Sequence, residues 1–464
     1  MKTHKEKNSI AALGLLSFAL SACAQVDPAA DFESAQRLIE ASTGEAQVFD
    51  PLKPALSEAE IDAILAQGLT LKEALSLALT NQRDMQASFH EIGIAHADWV
   101  QSQLLTNPSL GMLFRFASGG GGGDVLEATA GLELMQLWQL SARTESASTN
   151  LDATILQIAR LAGEHLTSAR QAYFEAVAAQ ELFHVAQENV SLARALANAV
   201  NTLHTAGAAD ALDLSLAQGP LLSAELAVRT ARIDAAESKR ALAQALSLTR
   251  SVESLELSSA LPSPTVLNDS AEDLVAQAWE QRLDLRAIDK TLNALAAQVR
   301  VEQKKAWGSV ELGASYESTD GEDGALLGPA LNLELPIFDQ NQAQVARAQS
   351  QWEQMHKLQE SARVAVAQEV RSQFDRVQSS TQDLAFYHER VLPQAEHSLE
   401  LASESYAAGR IDLTALVEVQ RQLLEVRRGL VTLRLESATS FAALELAVGI
   451  PLSTPPVVAL EVSK

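Results

Sequence analysis

Two hydrophobic patterns alternate along this chain. Short stretches carry apolar residues at every second position, which predicts β-strands with one apolar and one polar face, and longer Ala-rich stretches follow helical spacing. Strands are predicted at 108–116, 125–135, 310–317 and 327–335. Helical hairpins are predicted at about 141–250 and 342–448, each with a glycine break, at Gly207 and at Gly409. The predicted fold class is α+β, with helices predominating.

The same order of elements occurs twice, which indicates an internal duplication. Each copy reads helix, strand, Gly-rich turn, strand, long helix, glycine break and helix, with a period of roughly 200 residues. The segment that begins at Leu69 corresponds to the one that begins at Ala271, so that Gln82 aligns with Arg282. The copies are predicted at 69–268 and 269–450, and a short tail follows at 451–464.

The polar faces of the predicted strands are rich in glutamate. Strands of about ten residues with this alternation fit the band of an outer-membrane barrel, although a soluble sandwich sheet has the same pattern. A membrane barrel needs at least about eight strands and has no open edge, so several chains would have to share one barrel. The glutamates that would then face the lumen are Glu127, Glu133, Glu311, Glu317 and Glu334.

The helical stretches that begin at Ser141 and Gln342 are each roughly 65 residues, or about 95 Å, long. Rods of this length have to pack side by side, and their many alanines permit close contact, which predicts an antiparallel coiled coil in each hairpin. Pro393 predicts a bend or a local loss of hydrogen bonds in the second hairpin. Gly219-Pro220 predicts a kink or a late helix start in the first.

The amino terminus has the layout of a secretory signal peptide, predicted at 1–22. Three lysines precede an apolar run from Ile10 to Leu20, which is too short to span a membrane. The run ends in LSAC, which resembles a bacterial lipobox and implies lipidation of Cys23 and a lipidated segment at 23–68. The alternative is an ordinary signal peptide with an incidental cysteine. Cys23 is the only cysteine, so no intrachain disulfide is available.

Five motifs in this order resemble the outer membrane efflux protein family, the TolC-like exit ducts of Gram-negative tripartite pumps and type I secretion systems. They are LTLKEALSLAL, TNPSLGMLFRF, LELPIFDQNQ, VLPQAE and YAAGRIDLTALVEVQRQLL. The resemblance implies a homotrimer whose twelve strands form one barrel in outer-membrane lipid and whose helices form a periplasmic tunnel. It also implies a periplasmic adaptor and an inner-membrane RND-type pump as partners.

A finer resemblance concerns the cargo. TNPSL, LPIFDQNQAQVARA and FESAQRLIEASTGEAQVFDP resemble the heavy-metal cation branch that includes CzcC and CusC. Drug efflux and type I secretion are the alternatives. The net charge of -24 and the strand glutamates would favour cations in a lumen, although an acidic surface also simply keeps an exported protein soluble.

The resemblance further implies a gate at the periplasmic tip. The family pattern falls on Tyr406, Gly409, Glu418, Gln420 and Arg421, and Gly207 marks the first tip. A contact between Glu418 and Arg421 on neighbouring helices would hold the tip closed. The alternative is an ordinary pair on one helix.

Catalytic signatures are missing from the sequence. HExxH, GxxxxGK[ST] and GxSxG do not occur, and the five glycines at 119–123 suit a hairpin turn. His184 and Glu188 share a helix face, but a solvated pair explains this spacing better than a metal site. We expect no enzyme activity, no cofactor and no nucleic-acid partner. A structural coiled-coil lipoprotein that braces the envelope is the alternative of a different class.

Overall fold

The computed structural model describes residues 25–116, 118, 123–249, 255–264, 266–319 and 324–452. The predicted signal peptide, the predicted lipidation site Cys23 and most of the predicted tail lie outside these residues. The described chain is mostly helical, with one four-stranded antiparallel sheet. This confirms the predicted fold class.

The first half of the chain contributes six helices and two strands. They are α1 (Ala29–Thr43), α2 (Glu58–Leu65), α3 (Leu71–Thr80), α4 (Arg83–Gln103), β1 (Ser109–Arg115), β2 (Val125–Glu133), α5 (Met135–Thr205) and α6 (Ala211–Ala245). The second half contributes α7 (Ala271–Gln281), α8 (Leu283–Lys305), β3 (Val310–Thr319), β4 (Ala325–Leu333), α9 (Gln342–Phe386), α10 (Leu392–Ala407) and α11 (Leu413–Val448). Each half therefore has two short helices, two strands and a helical hairpin, and the first half has α1 and α2 in addition.

Equivalent polar residues start the equivalent helices of the two halves. Thr70 caps α3 and Ser270 caps α7, and in both cases the side chain accepts a hydrogen bond from the third residue of the helix, Glu73 or Asp273. The carboxylate of that third residue bonds back to the cap, which satisfies backbone donors that the helix itself cannot pair. These capping boxes fix where both helices begin.

The strand ends differ from the predicted bounds. Strand β2 stops at Glu133 and α5 begins at Met135, six residues before the predicted helix start, because the Glu133 carboxylate accepts the Met135 N–H at 3.1 Å and caps the helix. Strand β4 spans Ala325–Leu333 rather than 327–335, so Glu334 lies just beyond its end.

The chain divides into two compact units, and each takes segments from both halves. The first unit contains the described parts of 1–33, 90–155 and 287–358, which include the sheet. The second contains those of 34–89, 156–286 and 359–464. Because both units are discontinuous, they do not coincide with the two predicted copies at 69–268 and 269–450.

The second unit has a core in which α5 packs against the short helices of the first half. Tyr173 is completely buried there, and its hydroxyl donates to the Leu69 carbonyl at 2.8 Å. The same hydroxyl accepts the Ser259 N–H at 3.1 Å. Leu69 also pairs with Leu257 in an isolated parallel bridge. The Tyr173 hydroxyl therefore links two connecting segments, at Leu69 and at Ser259, to helix α5.

Two prolines lie within the long helices, with different results. A π-helical turn at Tyr387–Val391 separates α9 from α10 directly before Pro393, and the Leu392 N–H bonds five residues back to Tyr387. The predicted outcome was a bend or a local loss of hydrogen bonds, and the structure shows a shift from α-type to π-type hydrogen bonds. Helix α6, in contrast, runs from Ala211 through Pro220, so the predicted late start is wrong. None of the described helices is both long and apolar enough to cross a membrane.

Candidate functional site

The first unit presents a sheet with two chemically different faces. The strands pair in the order β1-β2-β3-β4, and the register brings side chains of the same kind to one side. The polar face carries Arg115, Glu127, Thr129, Glu133, Glu311, Ser315, Glu317 and Asn332. The apolar exceptions of valine size or larger on this face are Leu113 and Leu326 on the edge strands and Val125 on β2.

Like charges oppose each other on this polar face. Glu127 is the cross-strand partner of Glu317, and Glu133 is the partner of Glu311. Directly opposed like charges destabilise a sheet, so the fold itself gives no reason for this arrangement. The one cationic residue in the four strands is Arg115, which pairs with Glu127 at 2.6 Å. The face therefore keeps a surplus of negative charge.

Neutral donors accommodate most of the other glutamates. Glu311 reaches across β2 to the Ser109 hydroxyl at 3.1 Å and lies directly over Gly131, where a Cβ would collide with its carboxylate. Glu133 accepts the Val310 N–H at 3.0 Å. Glu334, predicted to lie on a strand face, instead accepts the Ser309 N–H at 3.2 Å from its place beyond β4. The structure thus gathers the other predicted lumen glutamates on one face and sets Glu334 at its margin.

The opposite face is apolar and open to solvent in the single chain. Its most exposed large side chains are Leu110, Met112, Phe114, Leu327, Leu331 and Leu333. Soluble single chains rarely expose a continuous apolar surface of this kind, so such a face marks contact with a membrane or another protein. Strands β1 and β4 are the sheet edges, and among the described residues neither has an outer neighbour.

The second unit contains the two glycine breaks, and both have the same backbone design. Gly207 and Gly409 adopt left-handed φ angles of 74° and 68°. The following residues close a Schellman motif, since the Ala208 N–H bonds to the Leu203 carbonyl and the Arg410 N–H to the Ser405 carbonyl. A Cβ at either glycine would meet no atom within 4 Å, so the left-handed backbone rather than crowding requires glycine.

Residues around the two breaks pack into one apolar cluster. Asp210 and Asp412 cap the helices that leave the breaks, α6 and α11. Val200 is fully buried in the cluster, and Tyr406 packs against it half-buried. The structure therefore brings three predicted tip residues, Gly207, Gly409 and Tyr406, to the same end of the two hairpins.

The predicted contact between Glu418 and Arg421 exists, but within one helix. The guanidinium of Arg421 reaches Glu418 at 2.7 Å and Glu425 at 2.8 Å, all three on α11. The hydrogen bond from Arg421 holds the pKa of Glu418 below its usual value, and the same bond raises the pKa of Arg421. Within the single chain this is the ordinary helical pair and not a link between neighbouring helices, because spacings of three and four residues place side chains on one face.

No group of three potential metal-ligating side chains occurs among the described residues. His184 and Glu188, the pair considered in the sequence, do not form a site together. The Glu188 carboxylate pairs instead with Arg427 of α11 at 3.2 Å.

Sequence reasoning overlooked a buried charge cluster in the second unit. Arg282 is only 5% exposed, and its guanidinium bonds to Asp284 at 2.7 Å, to Glu369 at 2.6 Å and to the Ala447 carbonyl at 3.0 Å. Burial opposes the charge on Asp284, but the bonds and charge of Arg282 outweigh it, so the pKa of Asp284 lies below its usual value. The sequence did contain a sign of this cluster, because the charged Arg282 aligns with the neutral Gln82 of the first half.

Known proteins share both the sequence and the fold. A family model described as outer membrane efflux protein matches residues 74–247 and 274–450. The chain is 24% identical over 368 residues to the cobalt-zinc-cadmium resistance protein CzcC of Cupriavidus metallidurans, covering 77% of this chain and 85% of that protein. It is 24% identical over 464 residues to the pyoverdine export outer membrane protein OpmQ of Pseudomonas aeruginosa, covering 96% of each.

Among solved structures, the chain is similar to CusC, with a TM-score of 0.71 and 19% sequence identity. The match covers 82% of this chain and 92% of that one. The structure of CusC is described in terms of folding and transmembrane channel formation. At this level of identity the likeness establishes a shared fold.

Proposed function

Because the chain belongs to the outer membrane efflux protein family, we propose that it is the outer-membrane exit duct of a tripartite efflux system. In this proposal three copies share one barrel of twelve strands, and their helical hairpins line a tunnel in the periplasm. The duct has no energy source of its own. It works with a periplasmic adaptor protein and a proton-driven RND-type pump in the inner membrane.

The observation that carries the proposal is the two-faced sheet with open edges. A strand of about ten residues rises about 33 Å, and with the usual barrel tilt this matches an apolar band about 25 Å tall. Lipid cannot satisfy the unpaired backbone of β1 and β4, so these edges must meet other strands. Since the four strands alternate in direction, β1 of one copy and β4 of the next would pair antiparallel, and three copies would close the cylinder.

The course of α1 supports a lipid anchor at Cys23. Asp31 bonds to His96 at 2.6 Å, and Phe32 lies beside Gly93, so the beginning of α1 lies against the half of α4 that leads into β1. An anchor at Cys23 requires the segment before α1 to reach the membrane, and the contact of α1 with this half of α4 supports that.

For the cargo we propose heavy-metal cations. The surplus negative charge on the polar sheet face supports cation passage, because threefold symmetry would turn each glutamate into a ring. CzcC, a relative of similar identity to OpmQ, is named for cobalt, zinc and cadmium resistance. OpmQ is named for pyoverdine export, so drug-like or secreted cargo is the alternative.

We place the gate of this duct at the two glycine breaks. Tyr406, Glu418 and Arg421 lie on the helices beside them. Bare backbone at Gly207 and Gly409 would let an adaptor approach closely. Opening would require the hairpins to move apart, so that their shared apolar cluster separates.

Disulfide trapping tests the shared barrel. In a Cys23→Ser background, Leu113→Cys on β1 is combined with Leu326→Cys, Gly328→Cys or Ala330→Cys on β4, all on the polar face. We expect covalent ladders that stop at three chains. Leu113→Cys combined with Ser315→Cys, on the central strand β3, is the matched control and should give no ladder. Monomers in every combination would refute the shared barrel.

Planar-bilayer recording separates a duct from a structural lipoprotein. The trimer should conduct, and replacing Glu127, Glu133 and Glu311 by Gln should shift the reversal potential toward lower cation selectivity. Glu58→Gln on the exposed start of α2 is the control and should leave selectivity unchanged. Trimers without conductance would favour the structural brace.

Gene deletion tests the cargo. We expect greater sensitisation to divalent or monovalent metal ions than to lipophilic drugs, measured as minimal inhibitory concentrations. The reverse order would refute heavy-metal export and leave the exit duct itself intact.

A further inference from the structure

Two tryptophans and a lysine lie exposed where the helices of the first unit meet the sheet. Trp138 is 60% exposed on the first turns of α5, directly after β2, and Trp307 is 69% exposed directly before β3. The Nζ atom of Lys304 lies 5.5 Å from the centroid of the Trp138 ring and donates to the Trp138 carbonyl at 2.9 Å. The contact fixes the lysine beside one indole, and the second indole follows three residues later.

These groups have hydrogen-bonding capacity that the described residues do not use. An ammonium has three N–H donors, and Lys304 donates one of them to the Trp138 carbonyl. Neither indole N–H has an acceptor among the described residues. A buried or half-buried indole usually finds such a partner, and exposed tryptophans are enriched where one end of the ring is apolar and the other meets water.

We propose that Trp138, Lys304 and Trp307 form a site for the phosphate and ester groups of an anionic phospholipid at the inner border of the barrel. The inference rests on the proposed membrane location and goes beyond it by naming residues and a lipid class. The indoles lie at the depth of the ester groups, and the ammonium contacts the phosphate. Lys304 gives the site its preference for anionic over zwitterionic lipid.

At the level of the sheet, a neighbouring copy is not the occupant of this site. In the proposed barrel the sheets join through the edge strands β1 and β4, whereas Trp138 and Trp307 adjoin the central strands β2 and β3. The junctions between sheets therefore leave this position uncovered. Its charge also fits, since the adjacent Lys305 is already paired with Glu302 at 2.9 Å and Lys304 has no carboxylate partner among the described residues.

Fluorescence quenching by brominated lipid tests the site in the full chain, reconstituted into nanodiscs. Bromines near the ester groups should quench more than bromines deep in the acyl chains, and Trp138→Phe and Trp307→Phe should each remove part of that shallow quenching. The matched control is Trp279→Phe, which alters a tryptophan of similar exposure in the second unit and should leave lipid quenching unchanged. Shallow quenching that survives both Trp138→Phe and Trp307→Phe would overturn the site.

Lipid preference is measured with brominated phosphatidylglycerol titrated against phosphatidylcholine. Lys304→Gln should reduce the preference for phosphatidylglycerol about fivefold, as expected for one lysine at an anionic surface. Lys305→Gln, the neighbour that already has a carboxylate partner, should leave it unchanged. Equal loss in both variants, or in neither, would refute the role of Lys304.

One further variant separates failure of this inference from failure of the proposed function. Phe114→Trp places an indole on the apolar sheet face and should be quenched by deep bromines. If Phe114→Trp is quenched and Trp138 and Trp307 are not, the lipid site is wrong and the membrane location stands. If none is quenched, both are wrong.

Discussion

The two halves of this protein build the same helical reversal and then differ on the helix that follows it. Both reversals use a left-handed glycine, a Schellman closure and a capping aspartate. Counted from those aspartates, Leu216 and Gly219 of α6 occupy the places of Glu418 and Arg421 of α11. At these two places α6 therefore presents an exposed leucine and a glycine, where α11 presents an ion pair.

This difference shows which features of the repeat are fixed by backbone chemistry and which are free to change. A reversal needs a left-handed residue and a helix cap, so the glycine and the capping aspartate occur in both halves. The outward helix face has no such requirement, and its chemistry reflects what covers it. On α6 the exposed apolar residues are Leu212, Leu216, Leu222, Leu226 and Ile233, a stripe that the described chain does not cover.

The turns between the two short helices of each half, at Gln82 and at Arg282, also differ in their contacts. We call them the first and the second corner. Gln82 closes the first corner locally, accepting the Met85 N–H and donating to Asp84. Arg282 closes the second corner and also reaches α9 and the end of α11. Arg282 therefore joins elements distant in sequence, whereas the side-chain bonds of Gln82 in the described chain stay within its own corner. The long-range bond of the first corner comes from Asn81, which donates to the Leu246 carbonyl at 2.8 Å.

The largest effect is expected from making the face of α6 resemble that of α11. Leu222→Glu with Leu226→Glu should leave the single chain folded but weaken the proposed trimer by about 3 kcal/mol per chain or more, since burying each leucine contributes about 1.5–3 kcal/mol. Trimer dissociation in detergent, followed by sedimentation, measures this. Glu353→Gln, on an exposed position of α9, is a surface control, and unchanged trimer stability in the leucine variant would show that the stripe is not an interface.

The next largest effect is expected on the free energy of unfolding, from substitutions at the two corners. Arg282→Gln makes the second corner resemble the first and should cost about 2 kcal/mol, less than the roughly 3–5 kcal/mol of a fully buried pair, because Asp284 and Glu369 keep contact with water. Gln82→Ala should cost about 1 kcal/mol, mainly through lost hydrogen bonds. Urea unfolding compares the two, and equal losses would contradict the different reach of these residues.

The second corner should also respond to acid. The pKa of Asp284 is lower in the folded chain than in the unfolded chain, so its contribution to stability is complete above the unfolded value and disappears as the pH falls through the folded value. We expect the stability difference between the natural chain and Arg282→Gln to shrink below about pH 4. A difference in melting temperature that stays constant from pH 6 to pH 2 would argue against this linkage.

The reversals should respond equally to loss of their glycines. Gly207→Ala and Gly409→Ala should each cost about 1 kcal/mol, because the left-handed backbone is strained for alanine while the added Cβ meets open space. Thermal unfolding of the two single variants, compared with Gly219→Ala inside α6, measures this. Unequal costs would mean that one reversal has contacts that the other lacks.

The smallest effect on stability is expected at the ion pair of α11. Glu418→Gln should leave the unfolding free energy almost unchanged, because the pair is exposed and lies on one helix. If the pair also restrains the gate in the trimer, single-channel conductance should rise despite this small change. Unaltered conductance would assign the pair to the helix surface alone.

Sequence patterns predicted the class of this fold because its elements are long and strongly periodic. Four two-faced strands, two hairpins and the break before Pro393 all follow from local spacing and backbone chemistry. Local patterns were less reliable for the ends of elements and for the effect of a proline inside a helix. Glu133 ended β2 early by capping α5, and α6 continued through Pro220.

The sequence by itself determined the alternation of strands and helices, the reversals at Gly207 and Gly409, and the repeat that relates them, since each depends on neighbouring residues. The tertiary structure decided which glutamates oppose one another and that Arg282 joins three helices. Strand register and side-chain burial depend on contacts between residues far apart in the chain. A local sequence pattern contains no information about those contacts.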